Sequence, residues 1–225
     1  MTDVEPPPLR IEICDAARRE PGVTFFNVRP GGVAEGELPI GWLMGINQAG
    51  ETVICKGYPD PVQDTHAPGN GNLLFSQTEH GLIHEMTPGG DIVRQWYATG
   101  KWRDKTPPEG AIPIDIHLYH HKINTFPNGN FLLLTMEIRE FENWPGSDTD
   151  PDAPTETARV VGDIVLEVTP DGAVINRWNI LDMLDPYRLC YGSRAGYWIR
   201  RGFPETRDWC HANAAAHDAN DDSII

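Results

Sequence analysis

The segment "VVGDIVLEVTPDGAVINRWNI" (residues 160–180) contains two strand patterns joined by a turn that ends in glycine. The segment "GNLLFSQTEHGLIHEMTPGGDIVRQWY" (71–97) repeats it, and in both copies a tryptophan follows the turn glycine by six residues. A weaker copy, "GWLMGINQAGETVICKGY" (41–58), has lysine at that place. Glycine-bearing turns between alternating apolar and polar residues are typical of β-hairpins. The chain is therefore predicted to be built from repeated hairpins.

A second repeat precedes the apolar strands. "PGNGNLLFS" (68–76) and "FPNGNFLLLT" (126–135) share Asn-Gly-Asn, and "ANDDSII" (219–225) begins a third copy. Repetition of strands and turns at about 40 residues is typical of propeller blades. We predict an all-β chain of short four-stranded antiparallel blades, with about three blades in 225 residues and the opening strand of another. We therefore expect an incomplete β-propeller, with the chain truncated within a blade.

The remaining segments divide the chain. Residues 1–38 form an N-terminal segment with one predicted strand, "GVTFFNV", and residues 39–225 form the partial propeller domain. Within that domain, 181–209 is a long insertion in which we expect one helical turn near Leu181–Leu184. Loops of this length are usually functional or disordered.

The charge and composition limit the partners. The chain has 18 basic and 33 acidic residues, a net charge of −15, which repels nucleic acid and anionic membranes. Nucleic acid and membranes are therefore not expected as partners, and an anionic substrate would need a local basic pocket. The sequence lacks a signal-peptide pattern and a long apolar run, so we predict a cytoplasmic location for the chain as written. Its four cysteines show no metal-binding spacing, and we predict no metal and no cofactor.

Histidines recur just before the predicted blade strands. His117, His120 and His121 precede one strand, while His66 and His211 stand at similar places in other repeats. Equivalent positions in a ring of blades lie beside the central channel, so we expect these imidazoles to converge. A single histidine at such a place can equally serve as a capping or core residue, and only the recurrence favours a site.

His211 and Asn213 are two residues apart, which would place them on the same side of a strand. A neutral imidazole accepts a proton near pH 7, and an asparagine amide donates to a developing anion. The insertion nearby is rich in aromatic residues and contains five arginines: Arg188, Arg194, Arg200, Arg201 and Arg207. Guanidinium groups suit sulfate and phosphate, although pairing with Asp182, Asp185 and Glu205 explains them equally well. We assign His120, Arg207 and Trp209 to substrate binding.

Three of these segments together resemble the bacterial arylsulfate sulfotransferases. They are "HHKINTFPNGNFLLL", "GDIVLEVTPDGAVINRWNILDMLDP" and "DWCHANAAAHDANDDSII", and the likeness extends in order from Gly41 to Ile225. The resemblance implies a six-bladed propeller with its site in the central channel. It also implies transfer of a sulfuryl group from an aryl sulfate to a phenol through a sulfohistidine, without an adenylyl-sulfate donor. Members of this family are often periplasmic.

The resemblance also implies residue roles. The family's His-x-Asn pair matches His211 and Asn213, and its earlier channel histidine matches His121, with His120 as the alternative. These residues are the predicted catalytic set. The family's later arginine and sulfuryl-accepting histidine have no counterpart before Ile225, so we expect an inactive N-terminal fragment. His217 stands where the family more often has tyrosine.

Two other functions remain open at this stage. The chain could be a non-catalytic propeller fragment that binds a ligand or a partner, and its open blade edges would favour self-association. It could also be a metal-dependent hydrolase or lyase built on His66, His117, His120 and His121. That set of histidines has no recognised ligand spacing.

Overall fold

The computed structural model describes residues 7–15, 17–29 and 40–225, which fall into two compact units, 1–113 and 114–225. The first unit contains mainly strands: β1 (Thr24–Val28), β2 (Gly41–Ile46), β3 (Thr52–Tyr58), β4 (Gln63–His66), β5 (Leu73–Gln77), β6 (Leu82–Met86), β7 (Ile92–Ala98) and β8 (Ile112–Ile114, which reaches the boundary). A short 3-10 helix covers Thr99–Lys101. β1, β2 and β3 form one sheet, and β4 to β8 form another in sequence order.

The second unit has one main sheet and a small hairpin. Its strands are β9 (His120–Thr125), β10 (Phe131–Trp144), β11 (Glu156–Val168), β12 (Val174–Asn179), β13 (Thr206–Asp208), β14 (His217–Asp218) and β15 (Ser223–Ile224). The helical segments are α1 (Ile180–Met183) and a 3-10 helix (Ile199–Arg201). β9 to β12 pair antiparallel in sequence order, while β13 pairs parallel with β11. β14 pairs with β15.

The predicted fold class is confirmed. The described residues form several antiparallel sheets with almost no helix, and none of these sheets closes on itself, which fits an incomplete propeller-like fold. The predicted helical turn is present as α1. The predicted boundary between residues 38 and 39 lies outside the described residues, and β1 from the segment before it pairs with β2.

The Asn-Gly-Asn repeat has the same structural role in both units. In each copy the first asparagine accepts the backbone N–H of the last one at 3.0 Å, which forms a tight turn. The last asparagine then donates its side-chain amide to a buried glutamate of the same sheet. Asn72 donates to Glu85 at 2.7 Å, and Asn130 donates to Glu167 at 2.5 Å. The sequence repeat therefore fixes one turn and satisfies one buried carboxylate in each sheet.

The insertion at 181–209 packs onto the long β10–β11 hairpin rather than extending into solvent. Leu181 of α1 lies so close to Gly162 of β11 that a Cβ on the glycine would be 2.4 Å from its side chain. Trp198 is 2% exposed and packs in a core cluster with Leu118 and Val161. Truncation of a buried tryptophan costs roughly 3–5 kcal/mol, so this residue anchors the insertion on the sheet.

Candidate functional site

Three of the predicted histidines lie together in the second unit. His120 and His121 begin β9, and His211 lies on the connection between β13 and β14. The ring centroids of His121 and His211 are 4.8 Å apart, and those of His120 and His211 are 5.9 Å apart. We call His120, His121 and His211 the histidine cluster. Three of the five histidines that were expected to converge therefore lie together within one unit.

Backbone contacts hold the His211 connection alongside β9. The backbone N–H of Lys122 donates to the carbonyl oxygen of Asn213 at 3.3 Å. The side-chain amide of Asn124 donates to the backbone carbonyl of Ala215 at 2.6 Å. The predicted strand at His211 and Asn213 is absent, because β14 begins only at His217. Asn213 is exposed, and its backbone carbonyl helps to hold the connection in place.

His121 lies in a β-bulge. Leu132 of β10 is opposite Asn124, and Leu134 is opposite His120, so β9 has extra residues between these two pairs. His121 has a φ of 56°, in the left-handed region that residues other than glycine rarely adopt. Bulges next to active sites redirect side chains, and left-handed residues of this kind cluster at functional sites. The backbone is therefore distorted at the histidine that the resemblance selects.

The surroundings of His121 favour its neutral form. Its Nδ1 lies 2.8 Å from the Nδ1 of His120, so one of these two atoms donates a hydrogen bond to the other. Burial, followed by the neighbouring imidazoles of His120 and His211, lowers the pKa of His121 to about 4. At neutral pH this imidazole is a proton acceptor rather than a cation.

His211 has the opposite environment. Its Nδ1 lies 2.7 Å from Oδ2 of Asp208, and Oδ1 of Asp208 accepts the indole N–H of Trp198 at 2.8 Å. The hydrogen bond that His211 donates to Asp208 raises the pKa of His211 above its ordinary value, although burial opposes this effect. The carboxylate also fixes the ring, because Nδ1 must carry a hydrogen. His211 therefore favours the protonated, donating state.

Asp163 is a member of the site that the sequence did not predict. It lies on β11 with no exposed surface, and its Oδ1 is 3.3 Å from Nε2 of His120. Its Oδ2 accepts the backbone N–H of Ala212 and contacts the thiol of Cys210 at 4.0 Å. Burial, and then the charge of Asp163, raises the pKa of Cys210 to about 11, so this thiol keeps its proton. One carboxylate therefore touches His120 and both chain neighbours of His211.

The insertion supplies aromatic and cationic groups beside the histidine cluster. The Tyr197 ring meets the His211 ring edge to face at 4.1 Å, and the Trp198 ring lies 5.9 Å from it. The guanidinium of Arg201 lies 4.0 Å from the Tyr197 ring centroid. The charge of Arg201 adds to the lowering of the His121 pKa and partly offsets the raised pKa of His211, which indicates that it acts on the same site.

The structure does not bring Arg207 or Trp209 to the histidine cluster. Arg207 pairs with Glu156 at 3.3 Å, on the side of β13 opposite to its neighbour Asp208. Trp209 is 7% exposed in a core cluster, and its indole donates to the Arg188 carbonyl at 2.9 Å. Both were predicted to bind substrate, Arg207 as one of the arginines whose guanidinium groups suit sulfate. Their observed contacts instead hold the insertion to the sheet.

The remaining histidines of the metal hypothesis do not form a ligand set. His117 is exposed and packs its ring edge to face against Phe203 at 5.6 Å, while His66 is part of β4 in the first unit. Across residues 7–15, 17–29 and 40–225, no group of three or more histidine, cysteine, aspartate or glutamate residues is arranged to hold a metal ion. Within the same ranges, no helix has the length and apolarity needed to cross a membrane.

The fold and the site define an all-β protein with a compact group of histidines flanked by the carboxylates of Asp163 and Asp208. The family model described as arylsulfotransferase (ASST) matches residues 63–225, which is most of the chain. The chain therefore belongs to the arylsulfotransferase family, as the sequence resemblance predicted. A search of curated proteins gives no match.

Proposed function

We propose that this chain contributes to an arylsulfate sulfotransferase site that transfers a sulfuryl group from an aryl sulfate to a phenol through a sulfohistidine. One observation carries the proposal. The ring centroids of His121 and His211 are 4.8 Å apart, yet their surroundings shift their pKa values in opposite directions. Titratable pairs with separated pKa values are typical of acid–base catalysis. Membership of the arylsulfotransferase family supplies the reaction class.

His211 serves the first half of the reaction. The bond between sulfur and the bridging phenolic oxygen breaks, an N–S bond forms to the nucleophilic histidine, and the donor leaves as a phenol once its oxygen is protonated. Its hydrogen bond to Asp208 favours the protonated form of His211, and this form can donate a proton to the departing oxygen. General acid catalysis of this kind typically contributes about 10²–10⁴-fold.

His121 serves the second half. The acceptor phenol gives its proton to the neutral imidazole of His121 while its oxygen attacks the sulfur of the sulfohistidine. The N–S bond breaks, and the aryl sulfate of the second phenol forms. A base with a low pKa is not already protonated at neutral pH, so it is available for this step.

Substrate binding falls to residues of the insertion and of the His211 connection. Tyr197 provides aromatic surface beside His211, and Arg201 provides a positive charge for the sulfonate oxygens. This local charge opposes the net charge of −15, which would otherwise repel an anionic substrate. In keeping with the sequence match, Asn213 is proposed to donate its amide to a sulfonate oxygen.

The sulfohistidine itself is assigned only by resemblance. The resemblance places the sulfuryl-accepting histidine after the segments that match, and we propose no residue of this chain for that role. We therefore expect the 225-residue chain, on its own, to bind an aryl sulfate without completing a transfer cycle.

Calorimetric titration with phenyl sulfate tests this proposal. We expect the chain to bind, and His211→Ala to weaken binding roughly 10- to 100-fold, since a hydrogen bond to a charged group contributes about 1.5–3 kcal/mol. His117→Ala is the matched control, because His117 is exposed and packs on Phe203 outside the histidine cluster. Absence of binding, or equal effects of both substitutions, would contradict the proposal and favour a non-catalytic propeller fragment. Release of 4-nitrophenolate from 4-nitrophenyl sulfate, with phenol as acceptor, measures turnover separately.

A further inference from the structure

Asp163 is a buried carboxylate for which the proposed acid–base steps give no role. Its two oxygens have different neighbours, because Oδ2 accepts the Ala212 backbone N–H while Oδ1 lies 3.3 Å from Nε2 of His120. Oδ1 of Asp163 and Nε2 of His120 are both buried, and neither makes an aligned hydrogen bond. A buried polar atom without such a bond requires a physical explanation.

The hydrogen-bond donors and acceptors of Asp163, His120 and His121 determine which ring nitrogens carry hydrogen. A carboxylate only accepts, and a neutral imidazole has one N–H and one lone pair. An unprotonated Nε2 on His120 would direct a lone pair at Oδ1 of Asp163 in a buried place, so Nε2 must carry the hydrogen. Nδ1 of His120 then has the lone pair, and the 2.8 Å contact requires Nδ1 of His121 to donate. Because the neutral ring of His121 has its one hydrogen on Nδ1, its Nε2 carries none.

A doubly protonated His120 is the competing arrangement, since it would donate to both Asp163 and His121. It would place a full ion pair in the interior, where His120 is 7% exposed and Asp163 is not exposed at all. Buried ion pairs recover their desolvation cost only when their geometry is excellent. The 3.3 Å contact is not aligned as a hydrogen bond, so the neutral arrangement is favoured.

We propose that Asp163 is a positioning residue that acts through His120 to set the tautomer of His121, leaving Nε2 of His121 unprotonated. The role of His121 as the base toward a phenol rests on the proposed function. The tautomer itself is a property of the folded protein and needs no substrate. Asp163 also binds the backbone at Ala212, so the same carboxylate positions the segment that follows His211.

The unmodified, ¹⁵N-labelled 225-residue chain gives the first test. Long-range ¹H–¹⁵N NMR correlations distinguish a protonated ring nitrogen from one with a lone pair. At neutral pH we expect Nε2–H on His120 and Nδ1–H on His121, with the other nitrogen of each ring unprotonated. A hydrogen on Nε2 of His121, or two hydrogens on His120, would overturn the proposal.

Asp163→Asn gives the second test. The oxygen of the asparagine is needed by the Ala212 N–H, so its amide group must face Nε2 of His120 and donate to it. The donor and acceptor in each hydrogen bond from residue 163 through His120 to His121 then exchange roles. The hydrogen of His121 is therefore expected to move from Nδ1 to Nε2. A folded Asp163→Asn protein that keeps the original tautomer of His121 would contradict the proposal. If the variant does not fold, the spectrum of the unmodified chain decides alone.

Glu167→Gln is the matched control. Glu167 is also a buried carboxylate on β11, four residues after Asp163 and therefore on the same side of the strand, but it binds Asn130 and Asn176. We expect this change to leave the tautomers of His120 and His121 unaltered. Reversal in both variants would assign the effect to general loosening of β11 and would overturn the role of Asp163. Phenyl sulfate binding is scored separately, so the expected tautomers without binding would reject the proposed function alone.

Discussion

Two histidines with equally low pKa values show how a structural imidazole differs from a functional candidate. Burial lowers the pKa of His84 in the first unit to about 4, the same value that His121 has in the second. His84 has partners at both ring nitrogens, Gln77 at 2.9 Å and Gln95 at 3.0 Å, and its ring stacks on Phe75. His121 instead shares a hydrogen bond with one histidine, lies close to another, and has a left-handed backbone. A low pKa alone therefore does not indicate a site.

Replacement of His84 should give the largest change in stability. We expect His84→Ala to lower the free energy of unfolding by about 3–5 kcal/mol, since it leaves a cavity and removes the partner of two glutamine side chains. Urea unfolding followed by tryptophan fluorescence measures this loss. Phenyl sulfate binding by the folded variant should be unchanged. A small loss of stability, or a loss of binding, would contradict the structural role of His84.

Acidification should distinguish His84 from His211. The folded pKa of His84 lies below its ordinary value of 6.5, so its contribution to stability is present above pH 6.5 and is lost as the pH falls toward 4. The shift to about 4 corresponds to about 3 kcal/mol. The raised pKa of His211 acts in the opposite sense, because its contribution is present at low pH and is lost as the pH rises through the folded pKa.

Urea midpoints measured between pH 7.5 and pH 4.5 test this difference. The His84→Gln variant should lose less stability on acidification than the unmodified chain, because it lacks a group that takes up a proton on unfolding. Parallel curves for the two proteins would contradict the low pKa of His84. Every other titratable group is shared, so the difference between the curves isolates this histidine.

The smallest expected effect concerns the strained backbone of His121. Glycine adopts a φ of 56° without the cost of about 1–2 kcal/mol that other residues incur, but it also loses more chain entropy on folding. We therefore expect His121→Gly to raise the free energy of unfolding by no more than about 1 kcal/mol. If a form of the protein turns over phenyl sulfate, the same substitution should lower its rate, since it removes the base. A clear loss of stability would show that His121 is held for structure rather than for function.

The sequence predicted those features that depend on local repetition. The Asn-Gly-Asn turns and the Gly90 and Gly172 turns recur because each needs the same local hydrogen bonds and a positive φ at glycine. The sequence placed His121 and His211 before strands, but the structure has His121 inside β9 and His211 in the connection ahead of β14. Self-association through open strand edges remains a prediction.

The features that depend on tertiary packing were not predictable. Asp163 stands within an apolar strand run, and only its preceding glycine and its isolation among apolar residues distinguish it in the sequence. The parallel pairing of β13 with β11 sends Arg207 to Glu156, although Arg207 is only four residues from His211. The β9 bulge likewise has no signal in the sequence, because it results from pairing with β10.

An NMR titration of the histidine ring signals tests the central claim most directly. The account predicts that His121 stays neutral until the pH falls to about 4, while His211 stays protonated to a pH above its ordinary value of 6.5. With these pKa values, His121 is a base and His211 is an acid, and their ring centroids are 4.8 Å apart. Titration of both histidines together near pH 6.5, or in the reverse order, would contradict the account.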